Sequence, residues 1–319
     1  MATSACRAEQ RARDALVVVG VFGPTASGKT DVAETLADLL EAELVSADAM
    51  QAYRGLPILT NQSERPARLV GIWPLEHEAS VGEYQELAQA AIDELVAAGR
   101  VPVVVGGTGL YLRAALAGLE LPPPVPAAVR SRLERLYDRV GPERAHAALV
   151  ERDPAAAARV HANDRRRVVR ALELAELGAS LAPASDTLWG GGYRHPTVVV
   201  GLDVPRDELA SRIEARTRSM VERGVVEEAR RALAGSVSQT ALTIHGLRDF
   251  AELPLDEAVE TYNRRVRRYA AYQRKWMRRI PGVVIIDANR PATEVADEIV
   301  ALARARERVP GDGAVRADG

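Results

Sequence analysis

The chain has 319 residues, 47% of them hydrophobic and 27% charged, which suits about two ordinary globular domains. A formal net charge of −2 excludes a polycation that holds nucleic acid by overall charge, so any such site must be a local patch. The single cysteine, Cys6, excludes an intrachain disulfide framework and a cysteine zinc cage; with no signal-like apolar start and no bilayer-length apolar run, a cytoplasmic protein without membrane association is expected.

In chain order, residues 1–14 and 308–319 are polar or Gly/Pro-rich and are expected to be disordered. LVVVGVF (16–22) predicts a buried strand running into GPTASGKT (23–30). The spacing Gly23-x-x-x-x-Gly28-Lys29-Thr30 is a complete P-loop, between a strand and a helix (KTDVAETLADLLEA) as that loop requires. The glycines let several N–H groups converge on one anion, Lys29 adds a charge, and the Thr30 hydroxyl can ligate Mg²⁺. Gly23, Pro24, Thr25, Ala26, Ser27, Gly28, Lys29 and Thr30 are therefore the expected polyphosphate-binding residues. Which polyphosphate binds is not decided by the loop itself.

AELVSAD (42–48) predicts a second strand ending at Asp48, at the sheet edge where the P-loop also lies. That carboxylate is a metal ligand, a general base or a turn former. Gln51 and Tyr53 follow with polar and stacking groups. A helix is predicted over 82–98, then a continuous apolar strand over 101–107 that ends in GGTGLY. Many P-loop proteins carry a metal-binding acid at that point. Here Thr108 stands instead, either to bond a substrate or to cap the next helix.

LPPPVP (121–126) punctuates the chain, and only helical patterns follow until the strand TVVVGLDV at 197–204. Helices over 206–234 and 255–280 and a strand over 283–287 complete the pattern. The expected architecture is α/β: a P-loop parallel-sheet core formed by 1–121 and 196–319, with a helical insertion domain over 122–195.

Basic residues cluster twice. Arg166, Arg167 and Arg170 share one helix surface next to Arg165, and residues 263–279 contain no acid at all. Val259, Tyr262, Val266, Tyr269, Gln273, Trp276 and Ile280 form one stripe on that second helix, most of it core by its spacing. The remaining cations, with Arg212, Arg216 and Arg218, are either a solvated face or the footprint of a polyanion. The five histidines lack metal-ligand spacing.

GPTASGKT, SADAMQAYRG, AAGRVPVVVGGTGLY, VHANDRRRVVRALEL, RIEARTRSMVERG and YAAYQRKWMR, in this order over about 16–290, resemble the bacterial tRNA dimethylallyltransferase (tRNA isopentenyltransferase) family. The resemblance implies that the P-loop holds the diphosphate of dimethylallyl diphosphate, with Mg²⁺ as cofactor. It implies transfer of the dimethylallyl group to the N6 amine of the adenosine 3′ of the anticodon in tRNA. Asp48 is carried over as general base, Thr108 as a contact to that adenosine, and Lys29 and Arg216 as phosphate-side catalysts. Contacts to the tRNA anticodon stem-loop are implied at Asp48, Ala49, Met50, Gln51, Thr108, Arg130, Arg166, Arg167, Arg170, Arg248, Gln273, Arg274, Lys275, Trp276 and Arg278, the segments 243–248 and 271–278 matching the family's tRNA-contacting regions, on a protein expected to be a monomer.

The chain departs from the family pattern at several points. Asp-Ser-x-Gln reads Asp48-Ala49-Met50-Gln51, and a Pro-His-His-Leu stretch is replaced by PARLVGIWPLE (66–76). Gly-Tyr-Arg reads His245-Gly246-Leu247-Arg248, and Lys-Arg-Gln-x-Thr-Trp reads Ala271-Tyr272-Gln273-Arg274-Lys275-Trp276. The rival readings are a P-loop kinase of a small molecule, an isopentenyltransferase of free adenine nucleotides, and a catalytically silent RNA-binding module.

Overall fold

The computed structural model describes residues 17–182, 187–190 and 192–307, so the segments 1–14 and 308–319 lie outside the described residues. Two compact units result: Leu119–Gly190, and the remainder of the chain on either side of it.

The larger unit is built on five parallel strands, β1 (Val18–Phe22), β2 (Glu43–Ser46), β3 (Pro102–Gly106), β4 (Thr197–Asp203) and β5 (Val284–Asp287), in the order β2-β3-β1-β4-β5. β1 lies at the centre, and all five of its residues are buried, as expected of a strand covered on both faces. β5 is an edge strand and leaves Val284 and Ile285 exposed. Helix α1 (Lys29–Leu39) and the last described helix, Ala292–Glu307, cover one face; Val32, Leu36, Val295, Ile299 and Val300 share a core cluster with Val19, Val21 and Val200. Helices α2 (Val81–Ala97) and α3 (Gly109–Leu116) bury Tyr84, Ile92, Leu95 and Leu112.

Because the strands are parallel, the turns after β1, β2 and β3 open on one edge. They carry Gly23, Asp48 and Thr108, so three segments distant in sequence meet there.

The Leu119–Gly190 unit contains α4 (Ala127–Val140), α5 (Pro142–Arg152), a helical turn Pro154–Ala157 and α6 (Arg165–Glu176). Its own core holds Leu133, Tyr137, Leu149, Val168 and Leu172. Inside it the carboxylate of Glu173, 1% exposed, is held by Arg130 at 2.9 Å and Arg170 at 3.0 Å.

The segment 206–234 is two helices, α7 (Arg206–Glu222) and α8 (Val225–Leu233), because Gly224 turns left-handed at φ +90° between them. Two further helices have no counterpart in the sequence reading: α9 (Leu247–Glu252) and α11 (Ala292–Glu307). Between α9 and α11 runs α10 (Leu255–Met277), the longest of the described helices. Among the described residues no helix is long and apolar enough to cross a membrane.

Candidate active site

The P-loop leaves β1 and bends through two left-handed residues, Ala26 at φ +64° and Gly28 at φ +83°, before α1 begins at Lys29. The backbone N–H groups of such a loop and the positive end of α1 suit an anion. Lys29 lines the cavity at that end. Burial pulls its ammonium down to about 8, helped by the positive charge of Arg216 and opposed by Asp48. Arg216, from α7, has its Nε buried without a partner, and so is the hydroxyl of Ser27. Buried donors without acceptors are costly unless a ligand supplies the acceptor.

The loop is held from outside by Gln273 of α10. Its Oε1 accepts from the Thr25 N–H at 2.8 Å, and its Nε2 donates to the Gly107 carbonyl at 2.8 Å. One buried amide thus locks the P-loop to the turn after β3.

That turn approaches closely on both sides. A Cβ on Gly106 would fall on the backbone carbonyl of Ala47, and one on Gly109 would fall on the Trp276 ring. The glycines of GGTG therefore let β3 press against the Asp48 turn and α10. Thr108 occupies the N-cap position of α3 but makes no capping bond. Its hydroxyl instead accepts from the Ala49 N–H at 3.3 Å and lies 3.4 Å from the Tyr269 hydroxyl.

Asp48 uses Oδ1 to accept from the Met50 N–H at 3.0 Å, so it does shape the turn; no described residue bonds its Oδ2. The next wall, 57–62, is fixed by two side chains. Gln51 donates to the carbonyls of Thr60 and Asn61, both at 3.2 Å. Glu228, 2% exposed, accepts from the N–H groups of Ile58 at 2.9 Å and Leu59 at 2.7 Å.

These parts enclose a cavity of about 400 Å³. Lys29, Thr30, Arg212 and Arg216 line it with Asp48, and Met50, Leu59, Tyr262, Val266 and Tyr269 supply apolar and aromatic surface. His245 also lines it, edge-on to Tyr269 with ring centroids 4.8 Å apart. Its Nε2 is buried without a partner, and burial, then Arg265, push the imidazole toward its neutral form against the pull of Asp48. Burial, then the charge of Asp48, raise the Tyr269 hydroxyl, so it stays a neutral donor.

The sequence-predicted residues divide. Thr25, Ala26, Gly28, Lys29 and Thr30 of the loop reach one cavity with Asp48, Met50, Gln51 and Arg216, while Gly23, Pro24 and Ser27 do not line it and Thr108 lies beside it. Gln273, expected at an RNA face, is buried and locks the P-loop. Arg274 is 15% exposed and pairs with Asp203 at 2.8 Å. Trp276 lies on Gly109. Tyr53, expected to offer a stacking surface, is buried, with its hydroxyl 2.6 Å from the Thr240 hydroxyl. The acid-free segment 263–279 is not free of acids in space: Arg264, Arg265 and Arg267 pair with Glu260, Asp249 and Glu214. Arg248, Arg268, Lys275 and Arg278 are exposed, and no described carboxylate pairs with them. In the smaller unit Arg166 and Arg167 are exposed, while Arg165 pairs with Asp138 and Arg130 and Arg170 hold Glu173.

Glu228 was not found by sequence reasoning, and His245 was met only as a departure from the family pattern, not as a cavity residue. The signal available was weak: a glutamate in an ordinary amphipathic helix, and a lone histidine. Gln273 carried a better one, since it is the one amide in an otherwise apolar or aromatic stripe. Among the described residues no cluster of His, Cys, Asp or Glu could hold a metal on its own.

The family model for IPP transferase matches residues 51–280. A tRNA dimethylallyltransferase of Salinispora tropica is 42% identical over 284 residues, covering 85% of this chain and 88% of that one. One from Kineococcus radiotolerans is 40% identical over 312 residues, covering 92% and 96%. Among solved structures, the full-length tRNA isopentenylpyrophosphate transferase of Bacillus halodurans superposes with a TM-score of 0.65 at 31% identity, over 91% of this chain and 97% of that one. A eukaryotic dimethylallyltransferase acting on tRNA shares the fold, with a TM-score of 0.70 at 24% identity over 86% and 74% of the two chains.

Proposed function

The chain belongs to the IPP transferase family of tRNA dimethylallyltransferases, and on that footing we propose that it transfers the dimethylallyl group of dimethylallyl diphosphate to the N6 amine of the adenosine 3′ of the anticodon in tRNA. The observation that carries this reading is a single cavity in which the P-loop residues Thr25, Ala26, Gly28, Lys29 and Thr30 and two further cations, Arg212 and Arg216, share the lining with Asp48 from the end of β2.

An adenine amine is a weak nucleophile because its lone pair is delocalised into the ring. As N6 attacks the allylic carbon, the carbon–oxygen bond breaks and its electron pair leaves on diphosphate. Asp48 takes the N6 proton. The charge growing on diphosphate is met by the P-loop amides, Lys29 and Arg216, already in place and partly desolvated. Thr108 and Tyr269 offer hydroxyls beside Asp48 to orient the base. The acceptor must leave its stack to reach them, as base-modifying enzymes require.

Mg²⁺ fits the P-loop end, where the Thr30 hydroxyl lines the cavity and the Ser27 hydroxyl is buried without a partner. Thr30 would hold the ion, which when bound supplies further charge neutralisation for the leaving diphosphate. The exposed Arg166 and Arg167 of the helical unit, and Arg248, Lys275 and Arg278 of the larger one, supply phosphate contacts to the anticodon arm. A tRNA substrate supports action in the cytoplasm.

The test is incubation with dimethylallyl diphosphate or ATP and three acceptors: AMP, a linear oligonucleotide and an unmodified anticodon hairpin. The expected product is dimethylallyladenosine in the hairpin only. Equal specificity constants for AMP and hairpin would make the protein a free-nucleotide transferase, and phosphorylation from ATP would make it a kinase.

A further inference from the structure

We propose that Tyr272 is a stacking platform for the unpaired nucleobase that flanks the accepting adenosine. This role rests on the tRNA reading above. At 54% exposure Tyr272 is the most exposed large hydrophobic residue among those described, and it stands on α10, the most basic of the described helices. Exposure alone would mean little. Its neighbours give it direction.

Tyr269, three residues earlier and on the same side of α10, lines the cavity and lies 3.4 Å from the Thr108 hydroxyl. Trp276, four residues later, sits against Gly109, the residue after Thr108, and meets the Tyr272 ring edge-on with centroids 6.4 Å apart. Three aromatic rings at positions i, i+3 and i+7 thus lead from the wall of the cavity to the outer surface of α10.

Charge singles out the same spot. Arg264, Arg265, Arg267 and Arg274 of this helix are neutralised by carboxylates. Arg268 and Lys275, one turn before and after Tyr272, are exposed, and no described carboxylate pairs with either. An exposed ring between two unneutralised cations is the chemistry of single-stranded nucleic-acid grooves, where rings stack bases and cations follow phosphates. The inference also supplies what base extrusion lacks. When the adenosine swings into the cavity, its neighbour loses a stacking partner, and a ring one helical turn from the cavity wall replaces it.

The test compares wild type, Tyr272→Phe and Tyr272→Ala on anticodon hairpins that are intact or abasic at the nucleotide 5′ or 3′ of the acceptor. Hairpin Kd, single-turnover transfer, the KM for dimethylallyl diphosphate and thermal melting are read. Tyr272→Ala is expected to weaken the intact hairpin about 5- to 150-fold, the range for loss of one stacked base. Tyr272→Phe is expected to stay near wild type, with melting and the KM for dimethylallyl diphosphate unchanged in both variants. Removing the base at one of the two flanks should weaken wild type by the same factor and leave Tyr272→Ala unaffected. The role is overturned if Tyr272→Ala binds like wild type, if Tyr272→Phe is as weak as Tyr272→Ala, or if the abasic and alanine losses add. Absence of any dimethylallylated product from wild type overturns the transfer reading itself. Product formation with unchanged binding by Tyr272→Ala overturns only the stacking role.

Discussion

At one end of the cavity eight consecutive residues, Gly23 to Thr30, form a P-loop from a single stretch of backbone. At the other end Asp48, Thr108, His245 and Tyr269 arrive from four separate segments and meet only because β2, β3 and α10 end or pass at the same edge of the sheet. The two ends also differ in what they present. The first offers backbone donors and cations, Lys29 and Arg216, with buried groups that lack acceptors. The second offers one carboxylate with a free oxygen, two neutral hydroxyls and an imidazole held toward neutrality. A site that must stabilise a large leaving charge at one end and remove one proton at the other requires this asymmetry. Cations stabilise the leaving diphosphate, whereas close to the base they lower its affinity for the proton it must take.

The largest expected effect lies at the acceptor end. Asp48→Asn keeps the Oδ1 contact to the Met50 N–H but removes the base, so single-turnover transfer should fall about 10²- to 10⁴-fold. Binding of hairpin and of dimethylallyl diphosphate should stay close to wild type. A loss of less than about threefold would take Asp48 out of proton transfer.

Lys29→Ala tests the other end. Transfer should fall about 10²- to 10³-fold, the scale for one lost oxyanion donor, and here dimethylallyl diphosphate binding should fall with it. The pH dependence has a definite sign. In the free protein the Lys29 ammonium is charged below about 8 and neutral above it. A diphosphate favours the charged form, so its affinity should drop as pH rises from about 7 to 9, and Lys29→Ala should flatten that profile. Stability runs the opposite way. The unfolded chain keeps this proton up to about 10.5, so between 8 and 10.5 the unfolded state binds more protons and this group's contribution to stability rises with pH. A profile equally steep in Lys29→Ala would assign it to another group.

The same contrast explains how much was legible in the sequence. A P-loop is local: its spacing, the apolar strand before it and the helix after it lie within about one βα unit, so the loop could be read residue by residue, whereas Arg216, from α7, entered through the family resemblance. The acceptor end is a product of topology. Asp48 and Thr108 could be proposed because strand ends of a parallel sheet share one edge. The stripe on α10 marks Gln273 as the one amide on an otherwise apolar or aromatic face, but nothing in that sequence says which of its cations are neutralised, and the segment 263–279 read as one basic surface. In space Asp249, Glu214 and Asp203, from other helices and from β4, neutralise three of its arginines, and Gln273 is buried. Charge patterns along one element show its own charges and not those of the elements packed against it. The same holds in the helical unit, where Arg130 and Arg170 converge on a buried Glu173 that in sequence is one more surface glutamate.

Gln273 is where the two ends are joined, so it tests whether they can be separated at all. Gln273→Leu removes both amide bonds and leaves the Thr25 N–H and the Gly107 carbonyl buried without their partner. A loss of about 1–3 kcal/mol in stability is expected, seen as a lowered melting temperature. Because the amide bridges the P-loop and the Thr108 turn, the KM for dimethylallyl diphosphate should rise and kcat should fall together. A variant that melts lower but keeps both constants would show that each end holds its own shape.

The smallest effect is expected at Thr108, and it separates a hydroxyl that orients the acceptor from one that merely fills space. Thr108 stands where a capping residue would stand, yet its hydroxyl makes no cap and reaches Ala49 and Tyr269 instead. Those distances, 3.3 and 3.4 Å, are long for hydrogen bonds, so the hydroxyl is held loosely and can turn to a bound base. Thr108→Val keeps the shape and removes one neutral hydrogen bond, worth about 0.5–1.5 kcal/mol, so kcat/KM for the hairpin should fall about 2- to 12-fold. The KM for dimethylallyl diphosphate should not move, because the residue serves only the acceptor end. Thr108→Ser restores the hydroxyl without the methyl and should recover most of the loss. If Thr108→Ser is as impaired as Thr108→Val, the methyl group's packing matters and the hydroxyl does not. If both leave kcat/KM unchanged, the acceptor end is oriented by Asp48 and the rings of α10 without Thr108.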